Sequence, residues 1–357
     1  MSKEELEFVI MPMVQPNPDD EPIDVRKIRE IALTTLTEYP PEDRALAWLV
    51  LLDVFPTNPN KWEEVRKTYI DNYWNFVEDL KVKEWHNKVL PEHMLPEEYD
   101  VPNKQLMSQI HCDIVRTGRQ ILFFPPEPVQ QDPDHKDIMA PFQKYMRRIE
   151  RVLYIFGTFN IGLSYTQGFN ELVSPLYYVM LKATALFRNN HDIIEALSFT
   201  MLQQLITSTQ IHEMYTTQDK SSIILHKLGE FTHLVEKYLP EIALKLKTLN
   251  VHPAVYCYRW YNLLFAQEYD MPSLLLIWDV IFAHKGEMLN FAFYIGLAQL
   301  KVIEKRLQSN DFSIIISALQ QLDIMDVVPV IKWASYYYKL DHQKQSSVFS
   351  GILKLFE

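Results

Sequence analysis

Two short stretches hold side chains whose types and spacing can do chemistry. In the first, residues 110–117 read Ile-His-Cys-Asp-Ile-Val-Arg-Thr, which sets Asp113 and Arg116 three apart. On a helix that spacing makes them neighbours. The pair has two readings. One is a surface ion pair contributing about 0.2–0.5 kcal/mol. The other is a guanidinium aimed by a carboxylate and offered to an anion. In the second stretch, residues 164–170 read Ser-Tyr-Thr-Gln-Gly-Phe-Asn, so Gln167 stands at a turn. Three of the chain's 8 glycines, Gly157, Gly162 and Gly168, fall in this neighbourhood. Gln167 is either a spectator beside a helix cap or an amide presented to something outside the chain.

Other routes to catalysis are missing from the sequence. It contains no Walker A, GxGxxG, GxSxG, HExxH or CxxC pattern. His111 and His135 do not have the spacing of a metal site. The chain therefore shows no means of its own to bind a nucleotide or a metal, and no autonomous hydrolytic centre. A net charge of −11 with no long basic run argues against nucleic acid and against an anionic membrane surface. Cys112 and Cys257 are far apart, each in an apolar helical pattern, as expected of reduced buried thiols in a cytosolic protein. No signal peptide and no apolar run long enough to span a bilayer is seen, so direct membrane insertion is not expected.

The elements that must hold these side chains read as helices. With 357 residues, 48% hydrophobic and 13% aromatic, the chain can bury a sizeable core in two lobes. Few glycines and 21 prolines suit helices punctuated by proline, not a β fold. Residues 1–24 read as an unanchored N-terminal arm or a strand-like cover. Pro40 and Pro41 open a helix that is apolar nearly all round, including Trp48. Trp62, Val65, Tyr69, Phe76 and Leu80 form one helical stripe. Asn103 caps the helix carrying Asp113 and Arg116. Residues 121–140 form a long irregular connection. Pro141 then opens a helix whose apolar face includes Tyr145, Ile149, Leu153 and Phe156. Its basic residues, Lys144, Arg147, Arg148 and Arg151, read as a solvated face, with docking of an acidic partner as the other reading. After the Gln167 turn, Pro175 kinks the next helix or lies in its first turns. The pattern stays helical to the end, over 191–208, 220–238, 241–249, 253–267, 272–284, 287–308, 311–320, 326–340 and 343–356. The division expected is an N-terminal lobe over 25–205 and a C-terminal lobe over 206–357, with a seam near 205–220.

Taken together, in this order, the motifs resemble the TBC domain family of GTPase-activating proteins for Rab small GTPases. The family's Ile-x-x-Asp-x-x-Arg motif is met by Ile110, Asp113 and Arg116. Its Tyr-x-Gln-Gly-Met-Asn-x-Leu motif is met by Tyr165, Gln167, Gly168, Asn170 and Leu172, with Phe169 in place of methionine and Pro175 following. Arg44 and Trp48 match the family's opening helix. Arg259, Trp260, Glu268, Trp278 and Asp279 match its later segments. The resemblance covers about residues 35–340, and the insert between the two motifs is similar to the branch that includes family member 13.

The resemblance implies an all-α, two-lobed TBC fold and a GTPase activator acting in trans. Arg116 would be an arginine finger and Gln167 a glutamine finger. Asp113 would orient Arg116, Tyr165 and Asn170 would brace the loop, and Gly168 would let its backbone approach the partner. The partner would be a Rab-family GTPase in its GTP form, which itself carries GTP and Mg²⁺. The protein would need no cofactor of its own, and would be cytoplasmic, meeting endomembranes through the Rab. The competing reading is a catalytically idle Rab-binding or scaffold module.

Overall fold

The computed structural model describes residues 22–34, 36–129, 137–160, 162–208, 211 and 220–353. Among them are fifteen α-helices and no strand, so the fold is all-α. Of the arm expected over residues 1–24, residues 1–21 lie outside the described residues, as do His135 and most of the expected seam, while Ile23 is buried and anchored, its N–H donating to the Thr57 carbonyl at 2.8 Å. The chain forms two compact units, Met1–Thr216 and Thr217–Glu357.

The first unit contains α1 (Val25–Ala32), α2 (Pro41–Leu51), α3 (Trp62–Asp79), α4 (Lys104–Arg116), α5 (Gly118–Ile121), α6 (Gln143–Phe159), α7 (Phe169–Lys182) and α8 (His191–Ser208). α2 starts with Pro41 in its first turn and is buried on every side from Ala45 to Leu51. α6 lies at the centre and packs against α4, α7 and α8. Its aromatic and aliphatic face, including Tyr145, Ile149, Leu153 and Phe156, is buried. Pro141 belongs to a 3₁₀ turn, Ala140–Phe142, and the α-helix opens two residues later. Pro175 lies inside α7 without ending it.

The basic stripe of α6 is not a solvated face. Arg147 and Arg151 are buried, and each has a carboxylate. Arg147 donates to Glu150 at 2.6 Å. Glu150 also accepts from the Trp85 indole at 2.9 Å and lies 2.8 Å from His111 Nδ1. Arg151 reaches Glu195 of α8 with Nε at 2.6 Å and Nη2 at 2.7 Å. Glu195 accepts further bonds from Arg148 at 2.6 Å and Tyr73 at 2.5 Å. A buried charge is tolerable only when paired and hydrogen-bonded, and here the pairing ties α3, α6 and α8 together. Lys144 alone fits the solvated reading; it is exposed and lies 3.6 Å from Glu127.

The second unit contains α9 (Lys220–Tyr238), α10 (Pro240–Thr248), α11 (Tyr258–Asn262), α12 (Met271–Ala283), α13 (Met288–Val302), α14 (Phe312–Gln320) and α15 (Val328–Leu353). The expected helix over 253–267 is broken. Its backbone turns through positive φ at Leu264 and Phe265, 43° and 64°, and only α11 is regular. Trp278 Nε1 donates to the Leu264 carbonyl at 2.8 Å and fixes that turn. Arg259 grips Glu268 with two bonds, 2.6 and 3.0 Å. The two helices expected over 326–340 and 343–356 are one, α15, because nothing at Asp341 or His342 interrupts the backbone. Asp341 accepts from Tyr294 at 2.8 Å and so fixes α15 to α13.

Candidate functional site

α4 and α7 bring the two chemical stretches together inside the first unit. Asn103 caps α4, its Oδ1 accepting from the Leu106 N–H at 3.1 Å. Leu106, Met107, Ile110 and Ile114 bury one face of the helix. Arg116 is the last helical residue, so its side chain leaves the helix end where the core stops. That side chain is 71% exposed. Asp113, one turn earlier, is buried.

The pair is looser than a hydrogen-bonded clamp. Arg116 Nη1 stands 3.7 Å from Asp113 Oδ1, an ion-pair distance and not a bond. The other carboxylate oxygen is held from across the site, where the Tyr165 hydroxyl donates to Oδ2 at 2.7 Å. Burial pushes the Asp113 carboxyl above its ordinary value, while the Tyr165 bond and the Arg116 charge pull it back. Burial, and then the Asp113 charge, hold the Tyr165 phenol far above its ordinary range, so it stays a donor.

The glutamine turn is built on one glycine at positive φ and another at a close approach. Gly168 caps α7 with φ 109° and ψ −17°, a conformation that side chains rarely adopt. Asn170 folds back beneath it, its Oδ1 accepting from the Gly168 N–H at 3.0 Å. Asn170 Nδ2 donates to Thr117 Oγ1 at 2.7 Å, and Thr117 donates in turn to the Asp113 carbonyl at 2.8 Å. Phe169 is fully buried, edge-on to Phe156 at 5.5 Å and to Tyr165 at 6.1 Å. It fills an anchoring position in the turn. Gln167, by contrast, is exposed, and its amide bonds to no described residue.

Gly157 sits inside the last turns of α6, where a Cβ would stand 2.9 Å from Tyr165 Cβ and 3.1 Å from Tyr165 N. Only glycine lets the turn lie this close to α6. Gly162 has open space around it.

The sequence residues Ile110, Asp113, Arg116, Tyr165, Gly168 and Asn170 thus converge at the adjoining ends of α4 and α7, with Gln167 beside them. Thr117 and Gly157 were not singled out as site residues, yet both position it. Thr117 had a signal, a hydroxyl directly after the last helical residue. Gln120, whose Nε2 donates to Glu171 Oε2 at 2.7 Å, ties α5 to the first turn of α7 and had none. Cys257 is buried and Cys112 half-buried, and both are free thiols. Among the described residues no cluster of His, Cys, Asp and Glu could hold a metal ion.

Two long polar side chains, a guanidinium and a carboxamide, are therefore presented outward from a buried and cross-linked base. Comparison with known proteins places the chain in a family. The Rab-GTPase-TBC domain model matches residues 42–308. Human TBC1 domain family member 13 is 30% identical over 186 residues, 52% of this chain and 46% of the relative. Human TBC1 domain family member 22B is 24% identical over 308 residues, 83% of this chain and 53% of the relative. The chain thus spans about half the length of these curated relatives. The crystal structure of the Ypt/Rab-GAP domain of Gyp1p superposes with a TM-score of 0.69 at 18% identity, over 95% of this chain and 99% of that one. The chain belongs to the Rab-GTPase-TBC domain family.

Proposed function

We propose that this protein is a GTPase-activating protein that supplies Arg116 and Gln167 in trans to a Rab-family GTPase in its GTP form. One observation carries the reading. Arg116 and Gln167 are exposed, while the residues bracing them, Asp113, Tyr165 and Asn170, are buried and bonded across the two helix ends.

Phosphoryl transfer to water is limited by charge on the transferring group and by placement of the water. The Arg116 guanidinium neutralises charge developing between the β- and γ-phosphates. An arginine supplied in trans contributes about 10³–10⁵ in rate in GTPases generally. The Gln167 carboxamide accepts from the attacking water and donates toward the γ-phosphate, which fixes the in-line approach. Asp113, 3.7 Å away, biases Arg116 electrostatically without tying up its donors. Tyr165, Thr117 and Asn170 keep the two helix ends in register, so little reorganisation is needed when the partner docks.

GTP and Mg²⁺ belong to the partner. Family membership, and the likeness to the Ypt/Rab-GAP domain of Gyp1p, support a Rab as that partner. Among the described residues no helix is long and apolar enough to cross a membrane, which is compatible with peripheral recruitment through the Rab. Mixing the protein with a panel of GTP-loaded Rabs and following phosphate release tests the proposal. Acceleration of at least one Rab is expected. Tight binding with hydrolysis at the intrinsic rate would leave a binding module instead.

A further inference from the structure

Arg116 ends α4, but the frame that holds it continues. α5 follows at once, and Gln120 bonds it to Glu171 in the first turn of α7. Ile121 and Phe124 are buried, with Phe124 stacked on Tyr177 at 6.0 Å. Between those anchors, Leu122 and Phe123 point into solvent, 50% and 40% exposed. Their backbone is fixed, the Leu122 N–H donating to the Gly118 carbonyl at 3.0 Å and the Phe123 N–H to the Gln120 carbonyl at 3.1 Å. From the far side of the 121–140 connection, Met139 lies against Gly118, its Cε 3.8 Å from where a Cβ would be. The neighbouring Ile138 is 73% exposed. Three large exposed apolar side chains thus lie on the two segments that meet at Gly118, two residues beyond Arg116.

We propose that Leu122, Phe123 and Ile138 form an apolar docking rim for the loops of the partner GTPase that the γ-phosphate orders. The inference rests on the activator reading above and deepens it. If Arg116 reaches the bond between the β- and γ-phosphates, whatever meets the chain on the order of 10 Å away must flank that phosphate. In a GTPase those flanking segments are ordered by γ-phosphate and Mg²⁺ contacts and released on hydrolysis. A polar site edged by apolar anchors is the usual anatomy of an energetic centre in an interface. The rim is held by the same bonds that hold the two proposed fingers, so it needs no ordering before it docks. It binds the GTP form and lets go of the product, because its counterpart exists only while the γ-phosphate does.

The test uses the full chain and a Rab that it accelerates. Leu122→Ser/Phe123→Ser and, separately, Ile138→Ser are compared with wild type in steady-state phosphate release. KM should rise about tenfold or more in the double variant, with kcat within about twofold. The preference for Rab loaded with a non-hydrolysable GTP analogue over GDP-loaded Rab should shrink by a similar factor. Val89→Ser, at a side chain 87% exposed in the same unit, should change neither. If the double variant fails to fold by circular dichroism, Ile138→Ser alone decides, with the same rise in KM expected. Unchanged KM in the folded rim variants, or a fall in kcat at constant KM, overturns the rim while leaving the activator reading standing. Failure of wild type to accelerate any Rab overturns both.

Discussion

The Tyr165 hydroxyl donates to Asp113 Oδ2 at 2.7 Å, joining two motifs that lie 52 residues apart in the chain. This bond makes one site of two helix ends. Asp113 is buried, so its charge is tolerated only while that donor and the Arg116 guanidinium face it. Tyr165→Phe keeps the ring and removes the donor. It should lower stability by about 1–3 kcal/mol in urea unfolding, the cost of leaving a buried acceptor unmet. Acceleration of GTP hydrolysis should fall through kcat, with KM little changed. An unaltered unfolding midpoint would show that the bond carries no load.

Gly157 tests the seating of the glutamine turn. An alanine there would put its Cβ 2.9 Å from Tyr165 Cβ, closer than packed carbons come. Gly157→Ala should cost about 1–3 kcal/mol as the turn is pushed away. Its loss of kcat should exceed that expected from stability alone. Gly162→Ala, with nothing within 4 Å, should be neutral in the same assays. Equal behaviour of the two variants would contradict the seating.

Glu195 holds the first unit together from within. It is fully buried and accepts from Tyr73, Arg148 and Arg151. Glu195→Gln leaves those arginines without their shared carboxylate and should destabilise by about 3–5 kcal/mol in chemical denaturation. A loss below about 1 kcal/mol would mean that the network is dispensable.

Acid should loosen the same region. His86 and His191 both have pKa values held below the ordinary 6.5, first by burial and then by the nearby Arg148, with Arg151 also acting on His86. A histidine with a lowered folded value contributes stability above its unfolded value, and that stability is lost as pH falls through the folded one. Asp113 has the opposite sign, since its raised value favours the fold at low pH and disfavours it as pH rises. Urea midpoints should therefore drop from about pH 7.5 to about pH 5.5, and drop less in His86→Asn/His191→Asn. An identical fall in both proteins would remove these histidines as the cause.

The helical class and the Asn103 cap were legible because each is written locally, in periodicity or a capping residue, whereas the meeting of two motifs 52 residues apart was legible only through the family resemblance. The α6 arginines were not. Arg147, Arg148 and Arg151 recur as a surface stripe would, but Glu195, which receives two of them, comes from α8, 44 residues beyond Arg151. A one-dimensional pattern cannot show that a charge will be met from another helix. The break at Leu264 and Phe265 was hidden for a related reason, since positive φ at two large apolar residues has no sequence signal and is held by a tertiary bond from Trp278. Thr117 was legible in type but not in role, because its partner Asn170 is 53 residues away.

The central claim is that Arg116 and Gln167 act on a nucleotide held by another protein. Single-turnover hydrolysis on one responsive GTP-loaded Rab, with wild type, Arg116→Ala, Arg116→Lys and Gln167→Ala, tests it most directly. Arg116→Ala should lose about 10³-fold or more of the acceleration. Arg116→Lys should lose most of it too, because a point charge does not reproduce the planar fork of donors. Gln167→Ala should fall toward the intrinsic rate while still binding the Rab. Acceleration that survives Arg116→Ala or Gln167→Ala near the wild-type level would contradict the mechanism.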